Sequence, residues 1–252
     1  MTELSDDGFL GGRLRVVQPK RGFRSGADAV MLAAACPARA GQAVLELGCG
    51  AGVASLCLGW RVPGLHLLGL EQQEDYVRLA RLNAAANGIA MQILTGDVAR
   101  PPAPLRAQDF DHVIANPPYF LGGTPAPDGG RALARREQTP LAAWIDTALR
   151  RLKPRGMVTL IQRADRLDAI LEGLRGRAGS VVILPVAGRP GREAGRVIVR
   201  AQKGARGPLR LLAPFVMHPA AAHPGDGEDL TPAASAVLRE GLPLTGLFAK
   251  PS

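Results

Sequence analysis

The residues with the plainest chemistry are Asn116-Pro117-Pro118-Tyr119, which follow the apolar run His112–Ala115. An asparagine carboxamide oxygen beside a main-chain carbonyl makes two adjacent hydrogen-bond acceptors. Consecutive prolines fix φ and carry no N–H, so the Pro117 carbonyl meets no competing donor from its own chain. Proline also excludes the α region for Asn116, which defines how that side chain leaves the strand. Two acceptors suit an NH2 group. An exocyclic amine such as adenine N6 is a poor nucleophile while its lone pair is delocalised into the ring, and holding both hydrogens shifts the nitrogen toward tetrahedral geometry. Tyr119, followed by Phe120, offers a face on which an extruded base stacks, worth roughly 1–3 kcal/mol per base. In isolation the tetrapeptide also reads as a proline-rich turn. Its place after a strand, some 65 residues beyond a glycine-rich turn, marks it as a site.

That turn is Glu46-Leu47-Gly48-Cys49-Gly50-Ala51-Gly52, an acidic residue near a strand end, then alternate glycines before a helix. Glycine lets the backbone turn tightly and approach a ligand, and the helix N-terminus behind it presents unpaired N–H groups. A dinucleotide fold would read GxGxxG here. The observed ExGxGxG instead resembles motif I of class I methyltransferases, whose acidic residue contacts the methionine part of S-adenosylmethionine. About twenty residues on, Glu71 ends a second strand, where such folds place a carboxylate on ribose hydroxyls. Asp97 follows a third strand and resembles the residue that accepts from the cofactor's adenine amine. A glycine run alone is also a structural turn, and a lone carboxylate a solvated strand end. Three carboxylates at three successive strand tips form a set, because ligands of open α/β sheets bind beyond those ends. With Cys49, Gly52, Gln72, Val98 and Asn116 beside them, these residues make up the cofactor-binding expectation.

The elements that must position these groups alternate strand and helix from about residue 43, the pattern of a doubly wound sheet. Strands are expected at Ala43–Leu47, Leu65–Leu70, Met91–Leu94, His112–Ala115 and Met157–Ile161. Helices are expected at Ala51–Trp60, Glu74–Asn87, Leu141–Leu152 and Asp165–Arg175. Val181–Pro185 and Val197–Arg200 flank a polar GRPGREAG connection, which predicts a hairpin and an antiparallel last strand. The expected fold is therefore α/β, a seven-stranded mixed sheet with helices on both faces, and the resemblance of the glycine turn to motif I implies that it is the Rossmann-like class I methyltransferase fold. Its expected division is an N-terminal lid and helix segment over 1–40, the methyltransferase domain over 41–205, and a C-terminal strand and helix over 206–252 packed on that domain.

The formal net charge is +9 and unevenly spread. Residues 1–126 balance 11 basic against 11 acidic side chains, whereas 127–212 carry 18 against 7. So one-sided a field points to a polyanionic partner. No run approaches the roughly 20 apolar residues of a membrane span, and the acidic start MTELSDDGFL lacks the order of a signal peptide. A soluble, cytoplasmic protein without membrane contact is expected, as a monomer or weak homodimer. Cys36, Cys49 and Cys57 are odd in number and lack CxxC spacing, so neither disulfide nor metal is expected.

Asn-Pro-Pro-Tyr after a fourth strand resembles motif IV of the amino-methyltransferases. The chain as a whole resembles the adenine-N6 methyltransferases that modify the adenine next to the anticodon of a valine tRNA. Gln18-Pro19 with Gly22–Leu32 resembles that family's N-terminal signature, and the resemblance implies cofactor contacts from Arg24 and Asp28. Arg131, Arg135, Arg136 and Glu137 resemble its Arg-rich helix start, which with Tyr119 and Phe120 implies an RNA-binding set. Leu211–Glu240 resembles its terminal segment, while Gly122–Gly130 and His223–Gly227 depart from the pattern. The arginines also read as plain surface charge.

Other readings carry different signatures. Glutamine methylation of a protein goes with a helical substrate domain, for which the roughly 42 residues before the glycine turn leave no room. A DNA adenine methyltransferase needs a target-recognition domain. Guanine-N2 methylation of ribosomal RNA uses a similar loop, often with Phe in place of Tyr119. A non-catalytic cofactor- or RNA-binding module would not need Asn116, and an NAD-dependent oxidoreductase is disfavoured by the glycine spacing.

Overall fold

Short apolar runs bounded by glycines and polar turns fold here as parallel strands, each returned to the sheet by a helix. In the computed structural model the described residues are 3–118, 139–220 and 229–249. Tyr119, Phe120, Arg131, Arg135, Arg136, Glu137 and both departing loops lie outside them.

The first elements are an antiparallel hairpin, β1 (Leu4–Phe9) and β2 (Leu14–Pro19), and helix α1 (Ala27–Ala35). Then follow β3 (Ala43–Leu47), α2 (Val53–Arg61), β4 (His66–Glu71), α3 (Glu74–Ala86), β5 (Met91–Thr95), the short α4 (Ala103–Arg106) and β6 (Phe110–Ala115). After residues 119–138 come α5 (Leu141–Arg151), β7 (Leu152–Arg163), α6 (Leu167–Leu174), β8 (Ala178–Ala187) and β9 (Ala194–Lys203). Two-residue strands β10 (Arg210–Leu211) and β11 (Phe215–Val216) precede helix α7 (Pro232–Glu240), whose N-cap Thr231 accepts from the Ala234 N–H.

The main sheet runs β5-β4-β3-β6-β7-β9-β8, with β10 and β11 added in parallel on the outer edge of β8. Its first five strands are parallel and β9 is antiparallel to both neighbours, so the expected mixed sheet of seven strands is present. One face packs on α1, α2 and α7, the other on α5 and α6. Among the described residues no helix is long and apolar enough to cross a membrane, and Cys36, Cys49 and Cys57 are buried free thiols.

Three features depart from the expected elements. The N-terminal segment contains a hairpin ahead of its helix. The helix after β3 starts at Val53 because Gly52, at φ 90°, is its left-handed N-cap. The sheet also continues past seven strands.

Asparagines on α3 tie the hairpin to the sheet. Asn83 and Asn87, four apart and so on one helix face, each exchange two hydrogen bonds with the β2 backbone, at Val17 and Arg15 respectively. Asn83 also donates to the Ala51 carbonyl in the glycine turn, at 3.0 Å.

Candidate active site

Parallel register brings the sequence-selected residues to one edge. Leu47 pairs with both Leu70 and Ala115, and Glu71 with Thr95, so Gly48, Glu71, Asp97 and Asn116 leave their strands at the same level. The topology reverses here, with β4 on one side of β3 and β6 on the other, and this crevice is where open α/β sheets bind ligands.

The glycines of the turn are each left-handed, with φ 64° at Gly48, 55° at Gly50 and 90° at Gly52. A Cβ at Gly48 would sit 2.5 Å from Cη2 of Trp144 on α5, and one at Gly50 would meet the Phe23 ring at 3.5 Å. The Cys49 N–H donates to the Leu70 carbonyl at 3.0 Å, and Glu71 Oε2 accepts from the Gly50 N–H at 2.9 Å. Glu71 Oε1 accepts from the Gln73 N–H, while Gln72 itself is exposed. Burial pushes the Cys49 thiol up, so it packs as an unreactive group under Gly69.

Glu46 is 4% exposed, and its Oε2 accepts from the Ser55 N–H at 2.9 Å and the Ser55 hydroxyl at 2.5 Å. Burial pushes its carboxyl up to about 7 against the pull of those two bonds, with the Glu71 charge adding to the rise. Asp97 turns inward on its own loop, Oδ1 accepting from the Ala99 N–H at 2.8 Å, and the Val98 carbonyl accepts from Thr147 on α5.

Asn116 Oδ1 is buried and has no hydrogen-bond partner among the described residues. An orphaned buried acceptor costs about 1–3 kcal/mol unless something fills it, so the carboxamide oxygen is poised for an incoming donor. The Pro117 carbonyl accepts from Gln162 Nε2 at 3.2 Å and keeps a second lone pair.

Arg24 and Asp28 have partners inside the protein. Arg24 pairs with Asp7 at 2.7 Å and donates to the Ser5 hydroxyl, and Asp28 pairs with Arg196 at 2.6 Å. Gln18, 1% exposed, bonds Asp7 and both the N–H and carbonyl of Ser25, and the Tyr76 hydroxyl donates to the Phe23 carbonyl at 2.7 Å. These bonds hold the 20–26 segment beside the glycine turn. On the same edge the β8–β9 connection brings Arg189 to Asp229 at 2.8 Å, and Arg163 stands opposite Arg196 in the ladder. Gln162 and Trp144 were not foreseen. Their signal in the sequence is slight, a polar residue ending a strand and a tryptophan on the helix after the Asn116-Pro117-Pro118-Tyr119 segment.

The family model for the methyltransferase small domain matches residues 25–174. The chain belongs to that family. Membership implies S-adenosylmethionine as methyl donor, and the left-handed cradle and buried carboxylates fit such a group. The methyltransferase is similar to the tRNA1(Val) (adenine(37)-N6)-methyltransferase of Porphyromonas gingivalis, 34% identical over 76% of this chain and 79% of the relative. The Aeromonas hydrophila protein of the same name is 30% identical over 79% and 85% of the two chains. Among solved structures it is similar to a predicted O-methyltransferase from Agrobacterium tumefaciens, with TM-score 0.69 and 28% identity over 86% of this chain and 97% of that one.

Proposed function

We propose that the protein transfers the methyl group of S-adenosylmethionine to the N6 amine of an adenine in tRNA. The observation that carries this reading is the pair of acceptors after β6. Asn116 Oδ1, buried without a partner, and the spare lone pair of the Pro117 carbonyl together match two amine hydrogens. A hydroxyl acceptor would supply only one. Both relatives are tRNA adenine-N6 methyltransferases by name, which supports adenine N6 and tRNA here.

Bound S-adenosylmethionine supplies a methyl group already activated on a sulfonium. Glu46 and Glu71 place two carboxyl groups on the glycine-turn side of the crevice, and Gly48 and Gly50 keep the backbone free of side chains. Asn116 and Pro117 orient the amine nitrogen, which loses its proton after methylation, so alignment supplies most of the rate. Tyr119 and Phe120 stack the extruded base, and Arg131, Arg135 and Arg136 bind phosphates. The 20–26 segment forms the cover, through Phe23 beside Gly50. Arg24 and Asp28 support that cover from the cofactor's methionine side.

The test is calorimetry with S-adenosylmethionine, followed by labelled transfer into purified tRNA, ribosomal RNA and protein. Binding that Gly50→Asp abolishes, with label in tRNA, is expected. Equal binding by Gly50→Asp, or label only in protein or ribosomal RNA, contradicts the reading.

A further inference from the structure

Gln162 stands one residue from the end of β7 and is 2% exposed. A glutamine so buried must find partners for its carboxamide. Oε1 accepts from the Arg163 N–H at 2.8 Å, and Nε2 donates to the Pro117 carbonyl at 3.2 Å. The amide orientation follows from chemistry, since the Arg163 N–H can only donate and the Pro117 carbonyl can only accept.

The β6–β7 ladder shows why this bond exists. Its last pair is Ala115 with Leu160, so two residues further Pro117 lies level with Gln162. Neither Pro117 nor Pro118 has an N–H, and the main-chain pairing stops. The Gln162 side chain supplies the next rung. It uses one of the two lone pairs on the carbonyl and leaves the other directed elsewhere. The Pro117 carbonyl lies in the Pro117–Pro118 peptide unit, and the ring-fixed φ of Pro117 couples that unit to the Asn116–Pro117 one, so a fixed Pro117 carbonyl also restrains the backbone from which the unpartnered Asn116 side chain projects.

We infer that Gln162 is a positioning residue for methyl transfer, its carboxamide holding the Pro117 carbonyl and the Asn116 backbone at the spacing an amine requires. This rests on the reading of Asn116 and Pro117 as the amine's acceptors. Gln162 touches neither amine nor methyl donor. Its loss therefore acts on the rate of the chemical step and spares cofactor affinity.

Two variants test it, Gln162→Leu and Gln162→Glu, in the full-length protein. Single-turnover methyl transfer to tRNA at saturating cofactor is measured against pH, with cofactor affinity by calorimetry and hydrogen exchange at the Asn116 amide. Gln162→Leu is expected to slow transfer about tenfold or more, the effect of one buried hydrogen bond, with cofactor affinity unchanged and faster exchange at Asn116. In Gln162→Glu a protonated carboxyl can donate to Pro117, whereas a carboxylate repels it. That variant should approach the wild-type rate at low pH and lose it as pH rises, relative to wild type. This pH signature would not arise from packing alone, and it decides the matter even if Gln162→Leu fails to fold. Rates within about twofold of wild type in both variants at every pH, with unchanged exchange, overturn the inference. Wild type that methylates no RNA defeats the proposed function instead, and exchange at Asn116 then decides by itself whether Gln162 holds the loop.

Discussion

Cofactor affinity is expected to rise with pH, and Glu46 sets the size of the effect. Its carboxyl, 4% exposed, is pushed from an ordinary 4.5 up to about 7 by burial and by Glu71, against the Ser55 bonds that favour ionisation. S-adenosylmethionine carries a sulfonium and an ammonium, so binding favours the ionised Glu46. With a carboxyl at about 7, roughly one-tenth of the protein is ionised at pH 6 and about nine-tenths at pH 8. Affinity should therefore increase about tenfold between those values, with release of about half a proton on binding at pH 7. Glu46→Gln removes this titration. The ligand's own amine titrates identically in both experiments, so the difference between wild type and Glu46→Gln isolates Glu46.

The stability of the ligand-free protein runs the other way. Because the folded state raises this group, its contribution is fully present below pH 4.5 and is lost as pH rises through 7. At 1.36 kcal/mol per pH unit the loss has a ceiling of about 3 kcal/mol. Calorimetry in two buffers of different ionisation enthalpy reads the proton release, and urea unfolding from pH 4.5 to 8 reads the stability. Parallel pH profiles for wild type and Glu46→Gln in both assays would refute the reasoning.

Asn116→Ala should lower single-turnover transfer by about 10²–10³-fold, as loss of a preorganised polar group at a reaction centre does, while calorimetry shows cofactor affinity nearly intact. Gly48→Ala places a Cβ 2.5 Å from Trp144 at a φ of 64°, and thermal unfolding should show a loss of about 2–4 kcal/mol together with lost cofactor binding. Charge reversal at Arg135 and Arg136 should flatten log tRNA affinity against log salt by roughly 0.7–0.9 per lost phosphate contact, with cofactor affinity unchanged. Titrations at several salt concentrations check this.

The main sheet was legible because its strands are short apolar runs and their order follows from alternation with helices. The Glu46 turn, Glu71, Asp97 and Asn116 were legible for a related reason, since strand tips in a parallel sheet share one edge. The β1–β2 hairpin was not. Its first strand, Leu4–Phe9, is polar and alternates exposed with half-buried residues, and it is held by Arg15–Asp6 and Arg24–Asp7 pairs that connect distant positions. β10 and β11 have two residues each, too few for any periodicity. Gln162 and Trp144 escaped notice because their significance lies in what sits across from them, the Pro117 carbonyl and Gly48. The partners of Arg24 and Asp28, at Asp7 and Arg196, are likewise properties of the fold.

The central claim is tested most directly by identifying the methylated nucleoside. Unmodified tRNA is incubated with the protein and labelled S-adenosylmethionine, digested to nucleosides, and resolved by chromatography and mass spectrometry. Label is expected in N6-methyladenosine with wild type, and in no nucleoside with Asn116→Ala. Label in N2-methylguanosine, or in a 2′-O-methylated nucleoside, would contradict the claim.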